Sequence, residues 1–146
     1  MNVNLKAFLD MIATSEGTIN LGDNGYNVIV GGSLFFDYRD HPRKRVWIER
    51  IKDWSTAAGR YQARAKDFDY YKKLLNLKGF FPDDQDTLAI QHIRECRALD
   101  DVNTGYIQVA INKCNHIWAS FPGNNYNQHM NQMDSLLAIY NKFITG

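Results

Sequence analysis

Carboxyl groups are the side chains of this sequence best placed to do chemistry, and the glutamates among them are few. Glu16, Glu49 and Glu95 stand beside thirteen aspartates. Glu95 lies between Arg94 and Cys96 in a stretch of helical periodicity, which reads as a helix surface. Glu49, between Ile48 and Arg50, reads as a strand-edge charge. Glu16 differs from both. Leu5, Phe8, Leu9 and Ile12 repeat at three and four residues and form one apolar stripe on a helix. Gly17 is the residue type that ends a helix in a left-handed conformation. Glu16 therefore stands at a helix C-terminus, where the macrodipole is negative and a carboxylate is disfavoured. Partial burial there raises a carboxyl pKa further, toward the proton-donating acid that glycosidic cleavage needs. A plain surface glutamate fits the same position, and position alone leaves both readings open.

Other chemistries find less support. His41, His92, His116 and His129 lie in four contexts, none tied by motif to a nucleophile. Cys96 and Cys114 have no CxxC spacing and no paired histidines, so they read as two reduced, largely buried thiols. The chain has no phosphate-binding glycine loop, no HExxH and no EF-hand, and the expectation is no metal and no cofactor. The basic run from Arg39 to Arg45, with Tyr38 before it and Trp47 after, has the composition that stacks on single-stranded nucleic acid or on sugar rings. Asp40 and Glu49 interrupt it, and a solvated loop is the simpler reading.

These residues must be positioned by a chain of 146 residues and 16.9 kDa, 45% hydrophobic, with a formal net charge of +1. That length suits one domain, and the charge balance provides no general field for nucleic acid or anionic membranes. From Asn20 to Lys52 turns and aromatics dominate. Tyr26 to Val30, Phe35-Phe36 and Val46 to Ile48 are candidate short strands. After Gly59 helical periods return, in Phe68, Tyr71 and Leu75, in Ile107, Ile111, Cys114 and Trp118, and in Met130, Met133, Leu137 and Tyr140. Pro82-Asp83-Asp84 reads as a helix start. The spacing predicts a mainly helical α+β domain with a small β-containing lobe over about 20–52, and a cleft between the two parts. No stretch reaches the roughly 18 apolar residues of a membrane helix. The N-terminal segment has no uninterrupted apolar core, so no secretory signal is expected and synthesis in a reducing cytosol is.

Several blocks of the sequence resemble the lambda-type phage endolysins. They are Lys6 to Met11, Ser15 to Thr18, Gly25-Tyr26, Val28 to Gly32, Leu34-Phe35, Asp40 to Lys44, Ser55-Thr56 with Ala58 to Gln62, Gln85-Asp86, and Ile117 to Ser120 with Pro122-Gly123. The matches are collinear from residue 6 to about 140. The resemblance implies a lysozyme-like fold and a lytic transglycosylase. Such an enzyme cleaves peptidoglycan between N-acetylmuramic acid and N-acetylglucosamine, with one glutamate, matching Glu16, doing the proton work. The Ser-Thr-x-Ala-Gly-Arg-Tyr-Gln block is similar to a groove-lining stretch of wider transglycosylase families, which implies sugar contacts at Ser55, Gly59, Tyr61 and Gln62. The alternative for this block is a helix start, with Ser55 as cap and Gly59 for close packing. Tyr38 and His41 are expected from the small lobe, and Tyr126 is either a sugar contact or a loop anchor. Ser33 stands where the family pattern has an acid, and the stretch from Trp47 to Trp54 departs from the family.

The resemblance further implies a glycan strand as partner, no nucleic acid, no stable membrane insertion and a monomer. It implies storage in the bacterial cytoplasm and release to the wall through a separate pore protein. The competing readings are a hydrolytic lysozyme using water with Asp37 or Asp40, a non-catalytic wall-binding module, and a nucleic-acid binder through Arg43 to Arg45.

Overall fold

A computed structural model of the chain describes residues 1–124 and 130–146. Its elements follow in the order α1 (Val3–Ser15), β1 (Val46–Ile48), β2 (Asp53–Ser55), α2 (Ala65–Leu75), α3 (Pro82–Glu95), α4 (Leu99–Asn103), α5 (Ile107–Cys114) and α6 (Met133–Thr145). The chain divides into two compact units, one made of Met1–Glu16 with Ala89–Gly146 and the other of Gly17–Leu88. The division falls inside α3.

In the first unit α1 is the central element. Asn2 caps it, its side chain accepting from the Asn4 and Leu5 amides, and every residue from Ala7 to Ala13 is buried. An exposed helix would alternate its faces; α1 is apolar nearly all round because α4 and α6 pack on it. The Phe8 ring meets Phe121 edge-on at 6.4 Å, and Trp118 and Phe121 pack at 5.8 Å. Gly17 follows with φ +78°, and the Glu16 amide donates to Ile12 O at 2.8 Å to close the last turn. Of the stripe expected near the C-terminus, Tyr140 is buried and Met133 and Leu137 are half-buried in α6, Leu136 is buried beside them, and Met130 lies before the helix. The five-residue α4 is too short to produce a period and carried no signal in the sequence.

The second unit has an aromatic core of Phe35, Phe68, Tyr71 and Phe80 with Ile29, Ala58, Leu77 and Leu88. Regular β structure is confined to the antiparallel hairpin β1–β2, in register Val46↔Ser55, Trp47↔Trp54 and Ile48↔Asp53. Tyr26 to Val30 forms isolated bridges only, Val28 to Leu34 and Ile29 to Ala58. Gly25, Gly31 and Gly32, all at positive φ, bend the chain on either side and prevent a longer ladder. Phe35-Phe36 is not a strand. The Phe35 amide donates to Asn27 O and its ring enters the core, whereas Phe36 is exposed.

Candidate active site

Glu16 is the C-terminal cap of α1, so the best-packed helix of its unit fixes the backbone that carries it. Its carboxyl is desolvated, and burial raises its pKa from 4.5 to about 7 against the lowering effect of a hydrogen bond from Ser120. That bond is 2.7 Å, from Ser120 Oγ to Glu16 Oε2. Ser120 Oγ lies 2.6 Å from Ser15 Oγ, and Asn131 Nδ2 donates to Ser15 Oγ at 2.9 Å. The same Nδ2 donates to the Ser15 carbonyl at 3.3 Å, which can only accept, and this fixes which way the amide faces. Asn131 gives to Ser15, the two serine hydroxyls share a hydrogen bond, and Ser120 gives to Oε2 of the Glu16 carboxylate, so Oε1 is the oxygen left outside this chain. Asn131 is held in turn by its own amide, which donates to Ser120 O at 2.7 Å.

The groove residues expected from the sequence fare differently. Tyr61 is 6% exposed, and its hydroxyl donates to Asp86 Oδ1 at 2.6 Å. Tyr26 donates to the same oxygen at 2.9 Å. The buried Arg60 guanidinium lies over both rings, 5.3 Å from that of Tyr26 and 5.5 Å from that of Tyr61. Burial first, and then the Asp86 charge, push the Tyr26 hydroxyl up to about 12 and that of Tyr61 higher still. Tyr61 is a structural tyrosine with no free face for a sugar. His41 is corrected in the same way. It is 2% exposed and packed between Phe68 and Phe80. Nε2 bonds Ala63 O at 2.8 Å and Nδ1 accepts from the Arg43 amide, so both ring nitrogens are spent. Burial lowers its pKa and keeps the ring neutral.

Gly59 is needed for packing. At φ +84° a Cβ there would stand 2.4 Å from Gln85 Oε1 and 2.8 Å from Phe80 Cζ. Gln85 Oε1 accepts from the Arg60 amide, and its Nε2 donates to Tyr26 O and Phe80 O. The Ser-Thr-x-Ala-Gly-Arg-Tyr-Gln block is thus a buttressed turn. Gln62 sits at φ +57°, half-buried, with Nε2 donating to Gly59 O and Val28 O. Ser55 ends β2, and its hydroxyl accepts from the Ala57 amide. It caps no helix; Thr56 Oγ1 accepts from Ala65 N at the start of α2 instead. Tyr38 is half-buried against Phe35 and Phe81 and donates to Asp23 at 2.7 Å. Tyr126 lies outside the described residues.

A family model described as Endolysin matches residues 6–145. The chain belongs to the endolysin family. It is 50% identical to the endolysin of Escherichia phage lambda over 143 residues, covering 94% of this chain and 89% of that protein. Identity to the endolysin of Escherichia phage P2 is 44% over 149 residues, covering 94% and 90%. Among solved structures it is similar to bacteriophage lambda lysozyme complexed with a chitohexasaccharide, with a TM-score of 0.94 and 48% identity, covering 98% of this chain and 95% of that one. A second structure of bacteriophage lambda lysozyme gives a TM-score of 0.90 at the same identity and coverage. The mainly helical α+β, lysozyme-like fold expected from the sequence is the fold observed.

Two further features of this endolysin belong to its second unit. The cross-strand pair Trp47 and Trp54 is 45% and 50% exposed, with ring centroids 5.5 Å apart. The Arg45 guanidinium stacks on Trp54 at 4.8 Å, and Trp47 Nε1 donates to Glu49 at 2.7 Å. These indoles offer apolar faces on a short, pinned hairpin. The aspartates considered as helpers are ion-paired instead. Asp37 is chelated by Arg39, which pulls its pKa down to about 2, and Asp40 is lowered by Arg43. Arg43 also pairs with Asp69, so two of the four basic residues from Arg39 to Arg45 are ion-paired within their own unit. Among the described residues no group of His, Cys, Asp and Glu is arranged to hold a metal ion, and no helix is long and apolar enough to cross a membrane.

Proposed function

We propose that this endolysin degrades bacterial peptidoglycan as a lytic transglycosylase, cleaving the β-1,4 bond between N-acetylmuramic acid and N-acetylglucosamine with Glu16 as the only proton carrier. The observation that carries the reading is one carboxyl fixed at the end of the buried helix α1, hydrogen-bonded by Ser120 and raised by burial to a pKa near 7.

A single carboxyl suffices when the nucleophile belongs to the substrate. Glu16, in its protonated form, gives its proton to the glycosidic oxygen as the bond to C1 breaks. The carbonyl oxygen of the substrate's own N-acetyl group supports the positive charge that develops there. The resulting Glu16 carboxylate takes the proton of the 6-hydroxyl on the same muramic sugar, and that oxygen bonds to C1. The product is a 1,6-anhydro end, and Glu16 is again protonated. An attacking group held in the same molecule has a high effective concentration, so no positioned water is required. A pKa near 7 serves both halves of the cycle, since neither protonation state is costly at neutral pH. The exposed Trp47 and Trp54 faces, with the half-buried Gln62, are the surfaces this reading assigns to sugar rings.

The hydrolytic reading needs Asp37 or Asp40 to activate water, and a carboxylate held below the usual carboxylate range by an arginine is a poor base. Its product decides between the two. Purified peptidoglycan is digested and the soluble fragments are weighed by mass spectrometry. Fragments lighter by one water, without reducing muramic ends, are expected; reducing ends overturn the transglycosylase reading. The reading also carries the expectation of action on the wall after release from the bacterial cytoplasm. Cell fractionation before and after lysis tests it.

A further inference from the structure

The proposed chemistry leaves unused a cluster formed by Cys96, Cys114 and His116. α3 closes at Glu95, and the Cys96 amide donates to His92 O at 3.0 Å. Arg97, at φ +59°, then turns the chain toward α4. Cys114 is the last residue of α5 and is fully buried, whereas Cys96 is half-buried. Two contacts besides the cysteines hold these chain segments side by side. Lys113 Nζ donates to Arg97 O at 3.1 Å and to Asp101 at 2.7 Å. His116 Nε2 lies 3.8 Å from Cys96 Sγ. The Cys114 thiol donates a hydrogen bond to Cys96, which stabilises the Cys96 thiolate and holds its pKa below the usual thiol value. The same bond, with burial, pushes the Cys114 thiol up. The two thiols are both free.

We infer that Cys96 and Cys114 are a reversible dithiol–disulfide pair, in which Cys96 is the attacking thiol, Cys114 the resolving thiol and His116 the acceptor of the Cys96 proton. The oxidant is a small-molecule disulfide. The Cys96 thiolate attacks one sulfur of that disulfide, its S–S bond breaks, and one thiolate leaves with the electron pair and takes up a proton. Cys114 then gives up its proton and attacks Cys96 Sγ. The mixed disulfide breaks and the second thiolate leaves, protonated in turn. Two protein thiols are oxidised, one external disulfide is reduced to two thiols, and the protons balance. The new bond closes the loop that contains α4 and ties the end of α3 to the end of α5. The division of roles follows from access and acidity: the partly exposed, more acidic sulfur meets the reagent, and the buried one completes the exchange.

The test uses the folded full chain equilibrated with a series of oxidised-to-reduced glutathione ratios, quenched with acid and analysed without reduction. At oxidising ratios the intact mass is expected to fall by two hydrogens. The count of alkylatable thiols should drop from two to none, with a peptide pair linked through Cys96 and Cys114, and dithiothreitol should reverse both. Cys114→Ala should accumulate one glutathione on Cys96, while Cys96→Ala should stay unmodified; far-UV circular dichroism shows that each variant is folded. Two thiols persisting at every ratio would overturn the inference. So would a stable glutathione adduct on the unmutated chain, or a covalent dimer through Cys96.

Discussion

Replacing Glu16 by Gln should abolish turnover and at the same time stabilise the protein, but only above acidic pH. Glu16 titrates near pH 4.5 when solvated and near 7 in the fold. Between those values the unfolded chain has released its proton and the folded chain has kept it. Stability therefore falls with rising pH across that window, at about 1.4 kcal/mol per unit. The upper bound over the window is about 3 kcal/mol, and partial solvent access at the half-buried Glu16 reduces it to about half that. Above pH 7 the loss is complete; below pH 4.5 both states are protonated and it vanishes. Gln carries no charge, keeps an oxygen to accept from Ser120, and escapes the penalty. The expected result is equal melting temperatures for the two proteins near pH 4. By pH 8 the variant should melt higher by about 3–6 °C for a chain of this size. Thermal unfolding by circular dichroism at half-unit pH steps, with lysis of permeabilised cells measured in parallel, tests both halves. A melting difference that does not change with pH would refute the buried, proton-carrying Glu16, and near wild-type lysis by the pure variant would refute its role.

Ser120→Ala removes the hydrogen bond that lowers the Glu16 pKa. The alkaline limb of the activity profile should move to higher pH by a fraction of a unit, read from lysis rates across pH 5 to 9 (assay range, roughly that in which such a group titrates). Gly59→Ala forces a Cβ into Gln85 and Phe80 at a positive φ. It should destabilise by about 2–4 kcal/mol, measured by urea unfolding; a loss below about 1 kcal/mol would show that the turn can relax. Trp54→Ala should raise KM on peptidoglycan about 3–10-fold, the scale of one aromatic stacking contact, with kcat little changed. If the melting temperature collapses instead, Trp54 serves the hairpin and not the substrate.

Glu16 was legible because the facts that place it are local. An apolar stripe, a helix-ending glycine and a carboxylate on the wrong end of a dipole all lie within about a dozen residues. The partners that orient it are not local. Ser120 and Asn131 are 104 and 116 residues from the atoms they bond, and a serine or asparagine has no periodicity to betray it. His41 and Tyr61 show the opposite failure. Each has a polar tip that suggests contact with ligand, and each spends it on Ala63 O or Asp86 inside its own unit. Residue type cannot distinguish a satisfied buried polar group from a waiting one. The Gly59 to Gln62 block stood out as a motif, but the partners that hold Arg60 and Tyr61, namely Gln85 and Asp86 of α3, are about 25 residues away and left no local mark. α1, α2 and α5 were readable from their stripes, and α3 from its Pro82-Asp83-Asp84 start. α4 and the bridges around Val28 and Ala58 were not, because pieces that short are held by tertiary contacts and not by pattern.

The hydrogen-bond chain that ends on Glu16 begins at a residue that never meets the reacting bond. Asn131 holds it by giving hydrogens both to the Ser15 hydroxyl and to the Ser15 carbonyl. An aspartate at 131 has none to give, so it would set a carboxylate against a carbonyl and add a negative charge to the network around the acid. In Asn131→Asp the reacting group would be untouched while its setting changed. Such a protein should remain folded by circular dichroism, with the alkaline limb of its lysis profile moved to higher pH.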